Sequence, residues 1–177
     1  QVLDRASLYA AYDCGPAPAA DVLKSLVAEG YLIHEKRQFA VRQWSRGEVE
    51  DLYDLRSSLE GLAAERAAER ASDAEIAHLR SLVSDTSDMS FTDPCDIERV
   101  TLENIHFHAE VVRLAKSPPL AELAYRVIPN ALHRRIVWAQ HAEDAKQSWR
   151  MHRKIVDAIA DRSAALARLS MREDIFS

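Results

Sequence analysis

The sequence predicts a mainly α-helical protein: an antiparallel helical bundle that follows a small module with a two-stranded hairpin. Only four of the 177 residues are glycine, and the chain is rich in Ala, Leu, Glu and Arg, which favour helices. From Gly47 onward, apolar residues recur every three or four positions, whereas the alternation typical of strands occurs only earlier. We therefore expect two domains, residues 1–44 and residues 45–177.

Composition narrows the class of protein. The net charge of −5 argues against a protein that binds nucleic acid over its whole surface, but it allows a small binding module on an acidic body. Cys14 and Cys95 form no CxxC pair, which favours two reduced thiols in a cytoplasmic protein. No apolar run approaches the roughly 18 residues of a membrane span, and no signal peptide opens the chain. We expect no membrane association.

The first 44 residues have the element order of a partial winged helix-turn-helix, a DNA-binding module. A Gly-Pro-Ala-Pro break separates two helices, near residues 3–12 and 19–29, and Gly30 ends the second as a C-cap glycine. Residues 31–34 and 39–43 then alternate like two short strands around a polar turn. By composition alone, a small α/β connector is an equally good interpretation.

The helical body contains clear start and stop signals. Ser72-Asp-Ala-Glu75 is a capping box, Ser117-Pro-Pro119 ends a helix, and Pro129 predicts a kink. Residues 84–96, rich in Ser, Thr and Asp, are expected to form a loop. The predicted helices span about residues 48–71, 73–83, 97–116, 120–141, 146–160 and 164–176.

Two polar residues occupy the apolar face of the helix near residues 97–116. Asn104 and His108 lie one turn apart, among Val100, Phe107 and Val111. Burying an unpaired imidazole or amide costs about 2 kcal/mol or more. Another group must therefore satisfy these two side chains.

His152 repeats this feature on the stripe that includes Trp149 and Val156. From His152 the helix rises about 14 Å to the turn near residue 161, and the antiparallel return to Asp174 is about 16 Å. Asp174 therefore returns to the level of His152. With Asn104 and His108, these residues form a plausible ligand set for a divalent transition ion.

Two interpretations of His108 and His152 remain open: metal ligands, or ordinary histidines of the core. Each histidine could simply donate a hydrogen bond to a carbonyl group of the core. Four of the other five histidines lack an apolar stripe and are expected at the surface: His34, His78, His106 and His133. We favour the ligand interpretation because two histidines, an amide and a carboxylate reach one depth of the bundle.

Arg56 interrupts the apolar stripe of the helix near residues 48–71. It could pair with a neighbouring carboxylate, or it could point inward and hold an anionic ligand. The chain has no H-E-x-x-H motif, no nucleophile elbow and no glycine-rich phosphate loop. No reaction is therefore specified, and we do not expect an enzyme.

Five segments together resemble the GntR-type bacterial transcription regulators of the FadR branch, whose C-terminal FCD domain is an all-helical ligand sensor. The resemblance covers nearly the whole chain. It implies a homodimer that binds operator DNA and responds to a small anionic effector, often a carboxylate on a bound metal. The segments are residues 49–61, Asn104-Ile-His-Phe-His108, 114–120, 149–159 and 171–174.

The resemblance assigns metal-ligand roles to Asn104, His108, His152 and Asp174, and it places Arg56 in the effector pocket. The family usually has Asp at the first ligand position and His at the last. Asp174 is a harder ligand than His, so this substitution favours a harder ion over a softer one. The expected ion is divalent, of the Zn, Ni or Mn type, without a clear choice among them.

The N-terminal module departs from the family. Recognition helices there typically begin Ser-Arg-Thr-Pro-Val-Arg-Glu-Ala-Leu, and residues 15–23 lack both arginines and both hydroxyls. The first helix of the winged module is also missing, and the wing has Gln38 where glycine is usual. Either the chain lacks part of the native protein or its DNA recognition is reduced. The possible phosphate contacts, which could equally be solvated charges, are Lys24, Lys36, Arg37 and Arg42.

The favoured function is a DNA-binding regulator whose helical domain senses a small carboxylate on a bound metal. One alternative is a sensor that has lost DNA binding and acts through protein contacts. A metal-dependent enzyme is the less favoured alternative, because no motif specifies a reaction.

Overall fold

The computed structural model describes residues 2–83, 94–127 and 142–176. Within these ranges it contains eight helices and one two-stranded antiparallel sheet, so the predicted mainly α fold is confirmed. The elements are α1 (Arg5–Ala11), α2 (Pro16–Ala28), β1 (Leu32–Glu35), β2 (Gln38–Val41), α3 (Arg46–Arg70), α4 (Asp73–Ser81), α5 (Pro94–Leu114), α6 (Pro118–Val127), α7 (Ala142–Ala160) and α8 (Ala164–Ile175).

The elements α1, α2, β1 and β2, here called the N-terminal module, have a small core of their own around Leu23, Leu32 and Phe39. Helix α2 begins at Pro16, so the expected start near residue 19 was wrong: proline suits the first helical turn. Gly30 ends α2 as predicted. Its φ of 82° lets the next amide, that of Tyr31, donate to the carbonyl of Leu26 at 2.9 Å.

The hairpin has a two-residue turn at Lys36 and Arg37. Glu35 pairs with Gln38, and Leu32 pairs with Val41 at the other end. Both turn residues have positive φ angles, 49° and 66°, which is the conformation of a type I′ turn. Two residues with bulky side chains therefore occupy positions that usually favour Asn and Gly.

Helix α3 is the central element of the bundle and packs against α5, α6, α7 and α8. It begins two residues earlier than expected, because Ser45 and Glu48 form a capping box. Ala63, Ala64 and Ala67 are completely buried, and their small side chains allow neighbouring helices to approach from several sides. The main apolar core of the bundle forms where the neighbouring helices pack against α3.

The predicted capping box of Ser72 and Glu75 is present at the start of α4. Helix α5 begins at Pro94, so residues 94–96 are helical and not part of the expected loop. The rest of that loop, residues 84–93, lies outside the described residues. So do the expected continuation of α6 beyond Val127 and the kink at Pro129.

Helices α7 and α8 form an antiparallel hairpin with a tight turn at residues 161–163. Trp149, His152 and Val156 of the predicted stripe on α7 are buried, and so is Ile159 on the same face. Arg162 fixes the turn against the end of α3, because its guanidinium donates to the carbonyl of Ala71 and to Oδ1 of Asp73. None of the helices in the described ranges is long and apolar enough to cross a membrane.

Candidate functional site

Three of the four predicted metal ligands meet in the interior of the bundle. Nε2 of His108 on α5 lies 3.2 Å from Oδ2 of Asp174 on α8, and Nε2 of His152 on α7 lies 3.6 Å from the same oxygen. The potential ligand atoms of all three residues lie within 4.8 Å of one another, and all three residues are buried. The antiparallel hairpin of α7 and α8 returns Asp174 to His152, as the helical rise predicts.

Asn104, the fourth predicted ligand, joins this cluster through Ser148. The amide nitrogen of Asn104 donates to Oγ of Ser148, which donates to Oδ1 of Asp174, both at 3.5 Å. Oδ1 of Asn104 is buried and has no hydrogen-bond partner within the described ranges. A buried amide oxygen in this position is chemically suited to an ion. We name Asn104, His108, His152 and Asp174 the four-residue cluster.

His152 lies in an apolar environment. Its side chain is 0% exposed, its ring stacks on Phe107 at a centroid distance of 4.0 Å, and Trp149 contacts it edge-on. Among the residues that the structure describes, neither ring nitrogen has a hydrogen-bond partner. Burial lowers the pKa of His152, which favours the neutral imidazole. A neutral ring with a lone pair is the form that binds a metal ion.

Asp174 is held as a carboxylate. Burial by itself would raise its pKa, but hydrogen bonding to His108 and the nearby His152 ring outweigh burial and place the pKa well below its usual range. Ligand atoms at about 2.0–2.2 Å from a zinc ion are spaced roughly 3–4 Å apart. The separations of 3.2 and 3.6 Å from Oδ2 of Asp174 to the two histidine nitrogens, and the unpaired buried atoms of His152 and Asn104, therefore fit a divalent ion.

Glu60 on α3 is a site residue that the sequence did not reveal. It is almost completely buried; its Oε2 lies 2.6 Å from Nδ1 of His108, and its Oε1 accepts from Nε of Arg56 at 2.9 Å. Burial would raise the pKa of Glu60, but Arg56 and His108 lower it to about 2. Arg56 thus pairs with a neighbouring carboxylate, which was one of its two interpretations. The i, i+4 spacing of Arg56 and Glu60 was the available signal.

Glu60 and Asp174 also set the charge of His108. Burial would lower the pKa of this imidazole, but the Glu60 carboxylate and the hydrogen bond to Asp174 raise it to about 9. The pKa values of the two buried histidines are therefore shifted in opposite directions, upward for His108 and downward for His152. The two carboxylates favour the imidazolium form of His108, and burial favours the neutral form of His152.

A cavity of about 550 Å³ opens beside the cluster. Its wall includes Arg56, Glu60 and His108 from the site, and Arg126 from α6. The N-terminal module supplies a second side of the wall, with Arg42 and the end of α2. The remaining lining residues are Ile105, Ala109, Val112, Ala124 and Tyr125.

The four predicted phosphate contacts of the N-terminal module differ in environment. Lys36 and Arg37 are exposed at the hairpin turn, and exposed Lys24 pairs with Asp21 at 3.3 Å. Arg42 is half-buried, with its guanidinium 3.7 Å from the ring centroid of Trp44, and it lines the cavity. The turn residues therefore remain the more accessible cations.

The histidines outside the cluster that the structure describes have no comparable setting. The predicted surface positions of His34, His78 and His106 are confirmed, because all three side chains are exposed. His133 lies outside the described residues. The face of α5 opposite His108 is less exposed than the sequence suggests, because Glu110 on that face is buried. The guanidinium of Arg113 donates two hydrogen bonds to the Glu110 carboxylate.

The family model of the FCD domain matches residues 51–176 of this chain. The chain belongs to the FCD domain family. The resemblance to GntR-type regulators with an FCD domain is thereby confirmed, and the family consists of transcription regulators with a ligand-sensing domain and not of enzymes. Residues 51–176, which contain the cluster and Glu60, are here called the FCD domain.

Solved structures with the same fold cover nearly the whole chain. E. coli McbR/YncC is 16% identical with a TM-score of 0.74, and the match covers 99% of this chain and 84% of that one. Lar, described as controlling the Listeria monocytogenes agr system, is 14% identical with a TM-score of 0.70 and coverages of 99% and 83%. A GntR-family regulator from Pseudomonas syringae is 14% identical with a TM-score of 0.59 and coverages of 98% and 72%. No curated protein sequence matches this chain.

Proposed function

We propose that this protein is a ligand-responsive transcription regulator that senses a small carboxylate on a divalent ion in its FCD domain. The observation that supports the proposal is the four-residue cluster, whose buried polar atoms converge beside a cavity of about 550 Å³. A cluster without a guest would leave the His152 ring buried and unsatisfied, which is costly. An ion removes that cost.

Asn104, His108, His152 and Asp174 would hold the ion through two oxygens and two nitrogens. A bound ion of this kind supplies positive charge and open coordination positions for a carboxylate. The mixed donor set suits ions of the Zn, Ni or Mn type. Arg56 lines the cavity and adds a guanidinium near the place where an anion would lie.

The wall of the cavity suggests how an effector would influence DNA binding. Arg42 and the end of α2 line one side, whereas Arg56 and Arg126 line the other. An anion in the cavity would therefore contact the N-terminal module and the FCD domain together. Because its binding favours one arrangement of these parts, it would change the spacing of two modules in a homodimer, which operator half-sites detect.

The N-terminal module would contact operator DNA through its hairpin turn. Lys36 and Arg37 are exposed there and suit phosphate contacts. The absence of arginine from residues 15–23 supports a second candidate function, a sensor that acts through protein contacts alone. Both functions use the same cluster and cavity.

Metal content tests the first part of the proposal. Elemental analysis of the purified protein should give about one ion per chain, and the His108→Ala variant should lose it. The exposed His78 provides a matched control, since His78→Ala should retain the ion. Equal metal content in His108→Ala and the unaltered protein would exclude the cluster as its site.

DNA binding separates the two functions. A pool of random duplexes, selected on the full native protein with zinc at low salt, should become enriched in an inverted repeat whose half-sites match a dimer. Retardation of the enriched duplex in a gel should weaken as salt is raised. A protein that retards no duplex at low salt would instead be a sensor without DNA binding.

A further inference from the structure

Glu60 is a buried carboxylate outside the four-residue cluster, and its two oxygens have different partners. Oε2 lies 2.6 Å from Nδ1 of His108, and Oε1 accepts a hydrogen bond of 2.9 Å from Nε of Arg56. The side chain of Glu60 is 1% exposed and that of Arg56 is 7% exposed. A buried ion pair on α3 therefore touches a proposed metal ligand on α5.

The contact with Glu60 determines which nitrogen of His108 carries a hydrogen atom. A carboxylate paired with a guanidinium can only accept hydrogen bonds, so Nδ1 of His108 must be a donor. Nε2 faces Oδ2 of Asp174 on the other side of the ring, at 3.2 Å. Because Glu60 retains the hydrogen on Nδ1, Nε2 is the nitrogen whose proton an ion would displace and whose lone pair the ion would share.

We propose that Glu60 is the positioning residue of the candidate metal centre. It fixes the rotation of the His108 ring and keeps the hydrogen on Nδ1, while Arg56 holds Glu60 in place. Carboxylates that orient a metal-binding histidine in this way strengthen metal binding about 10- to 100-fold. The effect on the ion rests on the proposed function, whereas the orientation of the ring exists without a metal.

The ring orientation can be tested on the metal-free protein. In a proton NMR spectrum, the Nδ1 hydrogen of His108 should give a strongly downfield resonance, because its bond to a carboxylate is short. Glu60→Gln keeps the size of the side chain but removes its charge, so this resonance should move upfield or disappear. Glu65→Gln on the same helix, where Glu65 pairs with Arg168 at 2.8 Å, should leave it unchanged.

The effect on metal binding is measured by competition with a zinc chelator. We expect Glu60→Gln to weaken zinc binding about 10- to 100-fold and Glu65→Gln to leave it unchanged. If Glu60→Gln does not fold, Glu60→Asp is the second variant. Its carboxylate is one methylene shorter and should withdraw from Nδ1 while still pairing with Arg56, and the same losses are expected.

Three results would overturn the proposal: a folded Glu60 variant with an unchanged Nδ1 resonance, one with unchanged zinc affinity, or an equal loss in Glu65→Gln. If the unaltered protein binds no zinc, the proposed metal function fails. The resonance of the metal-free protein still decides whether Glu60 positions the ring. The two failures are therefore distinguishable.

Discussion

Nε2 of His152 lies 3.6 Å from Oδ2 of Asp174, across the interface of the α7–α8 hairpin. The separation is too long for a good hydrogen bond, and within the described ranges neither ring nitrogen has another hydrogen-bond partner. An imidazole that is buried and unsatisfied reduces the stability of the metal-free protein. The same atoms are suitably placed for a shared ion. His152 is therefore expected to lower the stability of the metal-free protein and to contribute to metal binding.

The first prediction distinguishes the effect of His152 on stability from its effect on metal binding. His152→Leu replaces an unsatisfied ring by an apolar side chain that fits beside Phe107 and Trp149. We expect the metal-free variant to be more stable than the unaltered protein by about 1 to 3 kcal/mol. Urea unfolding followed by circular dichroism measures this difference. The variant should also contain no metal by elemental analysis.

Val156→Ala provides the matched comparison, because Val156 lies one turn away on the same buried stripe. It should lower stability by about 1 to 3 kcal/mol through the cavity it creates, and metal content should not change. A destabilised, metal-loaded His152→Leu protein would contradict the first prediction.

The second prediction concerns stabilisation by zinc. A ligand at 100 times its Kd stabilises the folded state by about 2.7 kcal/mol, so zinc at that excess should raise the Tm by roughly 5 to 10 °C. Asp174→Asn should remove most of this rise, since the amide is a weaker ligand. Differential scanning calorimetry with and without zinc measures it.

Asp157→Asn is the control for charge. Asp157 is also on the hairpin, but it is exposed and pairs only weakly with Arg80 at 3.2 Å. The variant should keep the full rise in Tm. A similar loss in both variants would mean that zinc binds elsewhere.

The third prediction is a pH dependence of the metal-free protein. Although burial opposes it, contact with Glu60 and Asp174 raises the pKa of His108 to about 9, whereas the pKa of an unfolded histidine is about 6.5. The stabilisation is fully present below about pH 6.5 and is lost as the pH rises through about 9. We expect the free energy of unfolding to fall by on the order of 3 kcal/mol over this window.

Urea unfolding between pH 6 and pH 10 measures this fall. In His108→Gln the free energy should depend much less on pH over the same window, whereas the exposed His78→Gln should behave like the unaltered protein. Equal pH dependence in all three proteins would show that another group is responsible.

The fourth prediction separates the fold of the hairpin turn from its charge. Lys36→Asn with Arg37→Gly places at the turn the residues that its positive φ angles favour, so the hairpin should not be weakened. The same change removes two exposed cations. If both contact phosphates, the slope of log K against log salt should decrease in magnitude by about 2.

Fluorescence anisotropy of a labelled duplex at several salt concentrations measures the slope. Lys154→Gln removes an exposed cation from α7 in the FCD domain and should leave it unchanged. An unchanged slope in the double variant would exclude the hairpin turn from the DNA contact.

The helices, their caps and the polar residues on their apolar faces were predictable because they depend on neighbours in the sequence. The capping box of Ser72 and Glu75 was found in this way, and Ser45 and Glu48 contain the same pattern. Periodicity placed Asn104 and His108 on one face. The meeting of His152 with Asp174 was also predictable, since a tight turn between antiparallel helices leaves only the rise per residue to calculate.

Glu60 could not be assigned because α3 is packed on several sides. The i, i+4 spacing from Arg56 was a signal for an ion pair with Glu60. A single amphipathic stripe describes a helix with one buried face, however, and it did not show which other helix reaches this carboxylate. Only the approach of α5 brings His108 to Glu60. The position of Arg42 in the cavity wall likewise depends on how the N-terminal module packs against the FCD domain.

The sequence by itself therefore determined the helices, the family and the side chains available to a metal, because periodicity, caps and motifs are local properties of the chain. The tertiary structure decided which groups touch: Glu60 with His108, Arg56 with Glu60, and Arg42 with the cavity. The contact of Arg56 with Glu60 lies within one helix. The contacts of Glu60 with His108 and of Arg42 with the cavity wall join residues far apart in the sequence, and their distances depend on how whole helices pack around α3.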